Sequence, residues 1–393
     1  MLDYEEAQRR LLAGLEPLPV ETVPLTAALG RTLSAPLVAR LTQPPFPASA
    51  MDGYAVRWED RNGPWRVVGE SAAGHPHTGD VLPSDAVRIF TGAPVPAGAD
   101  TVIVQEDVER AGDDLRLTGD GPPRSGAHIR PAGNDFDEGD ELFPAKRTLG
   151  AVALGLAASA GHGELNVHAR PKVALIATGD ELVPPGITPG PAQIVSGNGP
   201  MLAAALSTWG ADVQDFGIVE DRKDAIAAAL RNAAAADIIV TIGGASVGDH
   251  DLVGVALKAA DATLDFWKIA IKPGKPLIAG HLGDARIVGL PGNPVSAYIC
   301  AVLFLRPMLY ALTGRTDGAD EVEAPLGVPL PANGPRRDHL RATVTDGVVY
   351  PLDVQDSGQL AALAHADALI IRPPGAEPKK AGESVPIIRL DRA

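Results

Sequence analysis

The chain has 393 residues, of which 45% are hydrophobic and 21% charged, and its formal net charge is -15. This length exceeds one ordinary core, so several domains are expected, and the composition is that of a folded soluble protein. The negative charge opposes nonspecific attraction to nucleic acid and to anionic membranes, so neither is expected as a partner.

The single cysteine, Cys300, excludes an intrachain disulfide and a cysteine-rich metal site. It lies in the apolar run 295–305, where we expect a buried, inert thiol. That run is shorter than the roughly 20 residues of a membrane-spanning helix, and Arg306 and Pro307 interrupt it. The first residues are acidic and amphipathic, unlike a signal peptide, so we expect a cytoplasmic protein.

The predicted elements begin with a helix that starts at Asp3 and Glu6, followed by a short helix over residues 26–33. From residue 43, short apolar runs separated by Gly, Pro and Asp predict a β-rich insert that reaches about residue 140. A helical pattern resumes over residues 148–160. We expect the helical pieces on either side of the insert to pack together as one discontinuous domain.

After residue 171 the pattern alternates between strands and helices. A continuous apolar strand is predicted at residues 172–178, and further strands are predicted at 212–219, 237–242 and 286–290, with helices at 199–209, at 221–235 and from about Pro294. Such alternation predicts a parallel sheet covered by helices on both faces. From about residue 313 the chain becomes β-like again, which predicts a small β domain at the end.

In a parallel α/β sheet, ligands bind where the strands end, next to helix N-termini and free backbone amides. Four loops assigned to such strand ends carry unusual residues. Asp180 and Glu181 follow the first of these strands directly. Their carboxylates indicate a metal-binding or acid–base role, although a turn followed by a helix cap is the alternative.

A glycine-rich loop follows another strand. Its glycine and polar positions are Gly243, Gly244, Ser246, Gly248, Asp249 and Asp251. The glycines would let a phosphate approach backbone amides, and Asp249 and Asp251 could hold Mg²⁺ on that phosphate. A plain turn is the alternative, since neither the Walker pattern nor the dinucleotide fingerprint occurs.

The other two loops suit anions. Lys272 and Lys275 lie three residues apart on a proline-stiffened loop, which favours a fixed positive pocket for a phosphate or a similar oxyanion. In residues 291–296, Asn293 as a cap and Pro294 in the first helical turn would leave amides free for an anion. A surface turn and an unliganded helix cap are the alternatives. Together the four loops predict an enzyme built around an anionic, phosphorylated ligand.

These motifs resemble those of the molybdopterin molybdenumtransferase family, the bacterial MoeA family to which the C-terminal part of gephyrin also belongs. The resemblance covers nearly the whole chain, and the motifs stand in the order of the family. They are residues 49–56 (SAMDGYAV), 90–96 (FTGAPVP), 178–182 (TGDEL), 243–248 (GGASVG), 272–276 (KPGKP) and 291–297 (PGNPVSA).

The resemblance implies an α/β plus β multidomain fold in an elongated homodimer. The implied domains are a discontinuous helical domain I at residues 1–42 and 141–168, a β-rich domain II at 43–140, an α/β molybdopterin-binding domain III with a parallel sheet at 169–314 and a C-terminal small β barrel, domain IV, at 315–393. The active site would lie between domain III of one subunit and domain II of the other.

The implied reaction takes adenylylated molybdopterin and molybdate, cleaves the phosphoanhydride with the help of Mg²⁺, releases AMP and leaves molybdenum on the dithiolene. The implied catalytic residues are Asp52, Thr91, Glu181, Asp221 and Asp251. The implied metal ligands are Asp52, Glu181 and Asp251. The implied substrate-binding residues are Asn198, Gly243, Gly244, Ser246, Gly248, Asp249, Pro291, Gly292, Asn293 and Ser296. The implied contacts of molybdate or the terminal phosphate are Lys272, Lys275, Arg341 and Ser357.

Two alternatives stay open. One is molybdopterin adenylyltransferase, whose single domain resembles domain III, and the other is a catalytically silent scaffold. The extra β domains and Asp52 argue against the first, and retention of the acids and both lysines argues against the second. The resemblance also implies molybdopterin adenylyltransferase and molybdoenzyme-maturation proteins as partners. Asp356 stands before Ser357 where the family usually has glycine.

Overall fold

The computed structural model describes residues 1–244, 252–316 and 321–390. Its first elements are α1 (Tyr4–Leu12), β1 (Val20–Pro24), a 3-10 turn (Leu25–Ala27) and β2 (Leu37–Val38). Asp3 caps α1 as predicted, because its carboxylate accepts a hydrogen bond from the backbone N–H of Glu6 at 2.7 Å. The second predicted helix was wrong. Only its first residues lie in the 3-10 turn, and the backbone at Leu33 forms a bridge with Val167 instead.

The next segment is rich in strands, as the sequence predicted. They are β3 (Ala48–Ser49), β4 (Gly53–Val56), β5 (Trp65–Ser71), β6 (Asp85–Ile89), β7 (Thr101–Val104), β8 (Val108–Ala111), β9 (Asp114–Leu117) and β10 (Ile129–Arg130). Six of them form one sheet in the order β7-β4-β6-β5-β9-β8. Gly53 of β4 lies opposite Ile89 of the antiparallel β6. The turn that precedes β4 therefore lies beside the segment that follows β6.

The chain then returns to its N-terminal part. It forms β11 (Glu141–Phe143), α2 (Ala151–Ser159) and β12 (Glu164–His168). β11 pairs with β2 and β12 pairs with β1, both antiparallel, while α2 packs on a core that includes Ala28 and Leu33. The segments that flank the insert thus meet through strands and α2. They do not meet through the two helices as expected, because α1 buries Tyr4 and Leu11 in a different core.

The α/β unit follows. Its elements are β13 (Lys172–Thr178), β14 (Leu182–Val183), β15 (Ile194–Val195), α3 (Asn198–Thr208), β16 (Asp212–Val219), α4 (Lys223–Asn232), β17 (Ile238–Ile242), α5 (Leu252–Ala259), β18 (Thr263–Lys268), β19 (Ile271–Lys272), β20 (Pro276–Leu282), β21 (Ala285–Leu290), α6 (Pro294–Cys300), a π-helical turn (Ala301–Leu305) and α7 (Arg306–Leu312). The main sheet has the order β16-β13-β17-β21-β20-β18.

This sheet is mixed rather than wholly parallel. β16, β13, β17 and β21 run parallel to their neighbours, but β20 is antiparallel to both β21 and β18. β18 and β20 were not predicted from the sequence pattern. Because β20 runs backwards, it starts at the edge where the parallel strands end, and β18 ends at that same edge. The loop with Lys272 and Lys275 reaches this edge by preceding β20, not by following a central parallel strand as expected.

The apolar run around Cys300 forms one core helix, Pro294–Leu312, of 19 residues. By length and composition it could cross a membrane, with a mean hydropathy of 1.7, but 78% of its most apolar window is buried inside the protein. It shares its core with α1 and with strands of the main sheet. Cys300 is fully buried as expected, and burial raises the pKa of its thiol.

The C-terminal unit is a small barrel. Its elements are β22 (Val322–Pro325), β23 (Arg337–Thr345), β24 (Val348–Pro351), α8 (Leu360–Ala364), β25 (Ala368–Arg372) and β26 (Ser384–Arg389). The sheet order is β19-β23-β25-β26-β22, with β24 also paired to β23. A bridge between Leu326 and Val349 joins the end of β22 to β24 and closes the barrel. β19 pairs with β23, so the lysine loop joins the barrel to the α/β unit.

Candidate active site

A first cavity of ≈ 820 Å³ lies along the edge where β13, β17 and β21 end. Part of its wall is backbone, since Gly243 and Gly244 follow β17 with φ angles of 89° and 63°. A Cβ on Gly243 would lie 2.6 Å from the carbonyl oxygen of Thr178, and one on Gly244 would lie 2.2 Å from Cγ2 of Val253. Both positions therefore require glycine, and a ligand can approach the main chain there.

Carboxylates occupy one side of the first cavity. Glu181 follows β13 and Asp221 follows the neighbouring strand β16, and both line the cavity. The backbone N–H of Asp221 donates to Oδ1 of Asp180 at 3.0 Å. Partial burial raises the pKa of Asp221, and the negative charges of Asp180 and Glu181 raise it further. A cation placed among these carboxylates would relieve that repulsion. No helix begins here, because β14 follows the turn directly, which removes the helix-cap alternative.

Two lysines, Lys268 and Lys275, also line the first cavity. Lys268 is the last residue of β18, and it pairs in register with Pro276, the first residue of β20. Lys275 was a predicted site residue, whereas Lys268 was not, because β18 was not predicted. The alternating pattern Thr-Leu-Asp-Phe-Trp-Lys of that strand was the signal that could have revealed it.

Asparagines hold the segment between β21 and α6. Asn198, at the start of α3, donates its side-chain amide to the carbonyl oxygen of Gly292 at 2.7 Å. Asn293 precedes α6, with Pro294 in the first turn as predicted, but its side chain makes no capping hydrogen bond. It donates instead to Oγ of Ser357 at 3.1 Å, across to the C-terminal unit. Asn293 thus occupies the predicted N-cap position without a side-chain capping bond, and its amide links the α/β unit to the C-terminal unit.

A second cavity of ≈ 370 Å³ adjoins the first and shares Lys275, Pro276 and Asn293 with it. The predicted residues Lys272, Ser296, Arg341 and Ser357 all line this second cavity. The Nζ of Lys272 lies 3.0 Å from Oδ2 of Asp338, a buried carboxylate of β23. Asp338 was not predicted as a site residue, because its nearness to Lys272 depends on the pairing of β19 with β23.

Arg341 is the most buried cation of the second cavity, with only 1% of its surface exposed. Its Nη1 donates to the carbonyl oxygen of Gln359 at 3.2 Å, whereas its Nη2 has no hydrogen-bond partner within the described part of the chain. Asp356 also lines the cavity, and its Oδ1 accepts from the backbone N–H of Gly358 at 2.8 Å. Burial lowers the pKa of the neighbouring His339 to about 3, so this residue is neutral and adds no positive charge.

Asp52 and Thr91 form a separate pair in the β-rich unit. They lie in the turn before β4 and the segment after β6, so the antiparallel pairing of those strands brings them together. The backbone N–H and the hydroxyl of Thr91 donate to Oδ1 of Asp52 at 2.8 and 2.9 Å. These bonds lower the pKa of Asp52. Neither residue is among those that line the two cavities.

The predicted residues Ser246, Gly248, Asp249 and Asp251 lie outside the described residues. Within residues 1–244, 252–316 and 321–390, no group of three or more His, Cys, Asp or Glu side chains is arranged to hold a metal ion. The predicted ligand set of Asp52, Glu181 and Asp251 therefore stays a prediction.

Three family models match the chain in series. Residues 2–161 match the MoeA N-terminal region (domain I and II), residues 174–311 a probable molybdopterin binding domain, and residues 323–390 the MoeA C-terminal region (domain IV). Together these matches span most of the chain and follow the order of the observed units.

Curated relatives and solved structures agree with these models. A molybdopterin molybdenumtransferase from Nostoc sp. is 33% identical over 94% of this chain and 88% of the relative. Molybdopterin molybdenumtransferase 2 from Mycobacterium tuberculosis is 35% identical over 89% of this chain and 85% of the relative. The crystal structure of a molybdopterin biosynthesis MoeA protein from Pyrococcus horikoshii is 29% identical, with a TM-score of 0.80 over 99% of both chains.

Proposed function

The chain belongs to the molybdopterin molybdenumtransferase family, and on that premise we propose that it inserts molybdenum into molybdopterin during molybdenum cofactor biosynthesis. The substrates are adenylylated molybdopterin and molybdate. Cleavage of the phosphoanhydride by water releases AMP, and molybdenum is left on the dithiolene. The observation that carries this proposal is the pair of adjoining cavities, one with acids around a glycine wall and the other lined by cations.

The first cavity suits the pterin and its pyrophosphate. Gly243, Gly244 and Gly292 expose main-chain groups, and Lys268 and Lys275 supply positive charge for phosphate oxygens. Asn198 supports the same wall through its bond to Gly292. A ligand held between the lysines and the carboxylates would lie with its phosphates near Glu181 and Asp221.

Magnesium fits the acidic side of this cavity by the chemistry of its donors. Hard oxygen ligands are what Mg²⁺ prefers, and the raised pKa of the half-buried Asp221 marks a place where added positive charge is favourable. Glu181 would hold the ion together with ligand phosphate oxygens and the other predicted acids, Asp251 and Asp52. When bound, the ion would neutralise charge on the phosphates as the leaving AMP departs.

The second cavity suits the molybdate dianion. Lys272, Arg341 and Ser357 line this cavity. The Nη2 of the buried Arg341, which has no hydrogen-bond partner among the described residues, is a donor that an oxyanion can satisfy. Because Lys275 lines both cavities, the oxyanion and the terminal phosphate would lie close to each other. That proximity is what transfer of molybdenum to the dithiolene needs.

A homodimer would complete the site. Asp52 lines neither cavity of its own subunit, and exposed apolar side chains lie close in sequence to both halves of the predicted site. Phe46 and Met51, near Asp52, are 38% and 41% exposed, and Ile187 and Ile194, near the first cavity, are 55% and 58% exposed. Contact between these two surfaces would bury apolar area and bring Asp52 of the partner subunit towards Glu181.

Release of AMP from adenylylated molybdopterin in the presence of molybdate and Mg²⁺ tests the function. We expect the parent protein to release AMP, and Asp52→Asn or Glu181→Gln to lose at least about 100-fold in rate while folding normally. Asp114→Asn, in the hairpin of β8 and β9, is the matched control and should keep the parent rate. Parent-like turnover by both active-site variants would show that the site is wrong.

The two inactive variants also test the shared site. If Asp52 and Glu181 act across the dimer, mixing Asp52→Asn with Glu181→Gln subunits creates heterodimers with one intact site each. Random exchange then restores about a quarter of the parent activity. No recovery in a mixture that has demonstrably exchanged subunits would place both residues in the same subunit.

The alternative activities give different products. A molybdopterin adenylyltransferase would form adenylylated product from molybdopterin, ATP and Mg²⁺ without molybdate, and a silent scaffold would release no AMP at all. We propose a cytoplasmic enzyme that exchanges its substrate and product with molybdopterin adenylyltransferase and with molybdoenzyme-maturation proteins. Co-purification with either partner from a cell extract would test that exchange.

A further inference from the structure

The second cavity contains an arginine that the sequence analysis did not single out. Arg336 lines it beside Lys272, Lys275 and Arg341. Arg336 lies just before β23, and its Nη1 donates to the carbonyl oxygen of Ile271 at 3.3 Å. Since Ile271 precedes Lys272 in β19, this bond anchors the guanidinium next to the lysine loop.

The neighbouring Arg337 shows how this protein uses an arginine for structure. Its side chain is buried, and it pairs with Glu5 at 2.9 Å and with Glu321. Arg336 forms no ion pair with a carboxylate of the described residues, and Asp338, the acid nearest in sequence, is engaged by Lys272 instead. An uncompensated guanidinium at a cavity is the arrangement expected of a residue that binds an anionic ligand.

Arg341 gives an independent sign that this cavity takes an anion. It is almost fully buried, and its Nη2 lacks a hydrogen-bond partner within the described ranges. Leaving a buried charged donor unsatisfied is costly, so an acceptor is expected to enter the cavity. Arg336 faces the same space and would meet the same acceptor.

We propose that Arg336 is a further oxyanion-binding residue, which holds the tetrahedral anion together with Arg341. The proposal rests on the proposed function, because it assumes that molybdate enters the second cavity. A planar guanidinium can donate two parallel hydrogen bonds to two oxygens of one anion. Two such groups, one just before β23 and one in the middle of that strand, would fix the orientation of the anion, while Lys272 adds positive charge.

Titration calorimetry with sodium molybdate alone tests this role. We expect Arg336→Gln to weaken molybdate binding about tenfold, since a hydrogen bond between charged groups is lost. Arg336→Lys keeps the charge but loses the paired donors, so its loss of affinity should lie between that of Arg336→Gln and the parent. Arg315→Gln removes the same charge from a different groove, beside Tyr310, and should bind molybdate like the parent.

The outcomes separate this proposal from the proposed function. If Arg336→Gln and Arg336→Lys bind molybdate like the parent while Lys272→Gln binds it more weakly, the role of Arg336 is refuted and the oxyanion cavity stands. If the parent itself binds no molybdate, Arg336 has no such role, and AMP release decides the proposed function independently. Arg336→Lys also serves as a control if Arg336→Gln is unstable. Weakened molybdate binding by Arg336→Lys, together with a parent-like melting temperature of that variant, would support the role of Arg336.

Discussion

The carboxylate of Asp52 accepts both hydrogen bonds of Thr91 on the same oxygen, Oδ1, at 2.8 Å from the backbone N–H and 2.9 Å from the hydroxyl. This arrangement stabilises the ionised form and fixes the orientation of the carboxylate. It gives Thr91 a role that its motif alone did not define. Thr91 orients Asp52.

Thr91→Val should raise the pKa of Asp52 towards its ordinary value, because one of the two donors that lower it is removed. The acid limb of the kcat/KM profile for AMP release should then move to higher pH. The lowered pKa of Asp52 contributes stability above its unfolded-state pKa, and that contribution is lost as the pH falls through its folded-state pKa. The carboxyl carbon resonance of Asp52, followed by NMR, measures the pKa directly.

Thr91→Ser is the control, since it keeps the hydroxyl and should keep both the pKa of Asp52 and the pH profile. An unchanged acid limb in Thr91→Val would mean that Asp52 does not take part in the step that limits the rate.

The backbone wall of the first cavity supports a second prediction. Gly244→Ala forces a Cβ to within 2.2 Å of Val253 at a positive φ of 63°. We expect the free energy of unfolding in urea to fall by about 2–4 kcal/mol, from left-handed backbone strain and overpacking together. Gly292→Ala is the matched control at the same cavity. Its Cβ would meet only Gly243 Cα at 3.8 Å, so its stability should change by less than about 0.5 kcal/mol. Equal losses in both variants would contradict this account.

The sequence predicted the elements whose apolar pattern is continuous. β13, β17 and β21 lie where expected because buried strands consist of nearly unbroken apolar runs. β16 was also predicted, but it is an edge strand whose residues are exposed or half-buried. The helix predicted at residues 26–33 does not form, although these residues carry a helix-like pattern. The backbone at Leu33 pairs instead with Val167 of β12. Local propensity cannot anticipate a partner 134 positions away in the chain.

The site residues that lie in sequence motifs could be predicted, whereas those brought to the site by strand pairing could not. Glu181, Lys272 and Lys275 stood out as unusual residues in loops. Lys268 and Asp338 are ordinary charged residues in strands, and they reach the cavities only because β18 and β23 take particular neighbours in their sheets. Strand order is decided by packing across the whole domain, so the sequence alone did not reveal these two side chains.

Asp221 supports a third prediction, on the metal. Its pKa is raised by burial and by the charges of Asp180 and Glu181, so its contribution to stability is greatest below the unfolded-state pKa and is lost as the pH rises through the folded-state pKa. Asp221→Asn should therefore melt at a higher temperature than the parent at pH 7 without divalent cations. Addition of MgCl₂ should raise the melting temperature of the parent but barely that of the variant.

Asp224→Asn, on the exposed first turn of α4, is the control and should respond to MgCl₂ like the parent. If MgCl₂ raised the melting temperature of Asp221→Asn as much as that of the parent, Asp221 would not be a metal ligand.

Asp356 supports the last prediction, because its carboxylate lines the second cavity and acts electrostatically on Arg341. Its negative charge opposes a dianion, while its Oδ1 holds the turn through the N–H of Gly358. Asp356→Asn keeps an oxygen for that hydrogen bond and removes only the charge. We expect molybdate to bind at least about fivefold more tightly, because repulsion between two unit charges about 4 Å apart costs about 1 kcal/mol even at the dielectric constant of water, and molybdate is a dianion. Asp353 is exposed in the same segment, so Asp353→Asn should leave the affinity for molybdate unchanged. Weaker binding by Asp356→Asn would show that the carboxylate helps to hold the anion, through a shared proton or cation, and does not repel it.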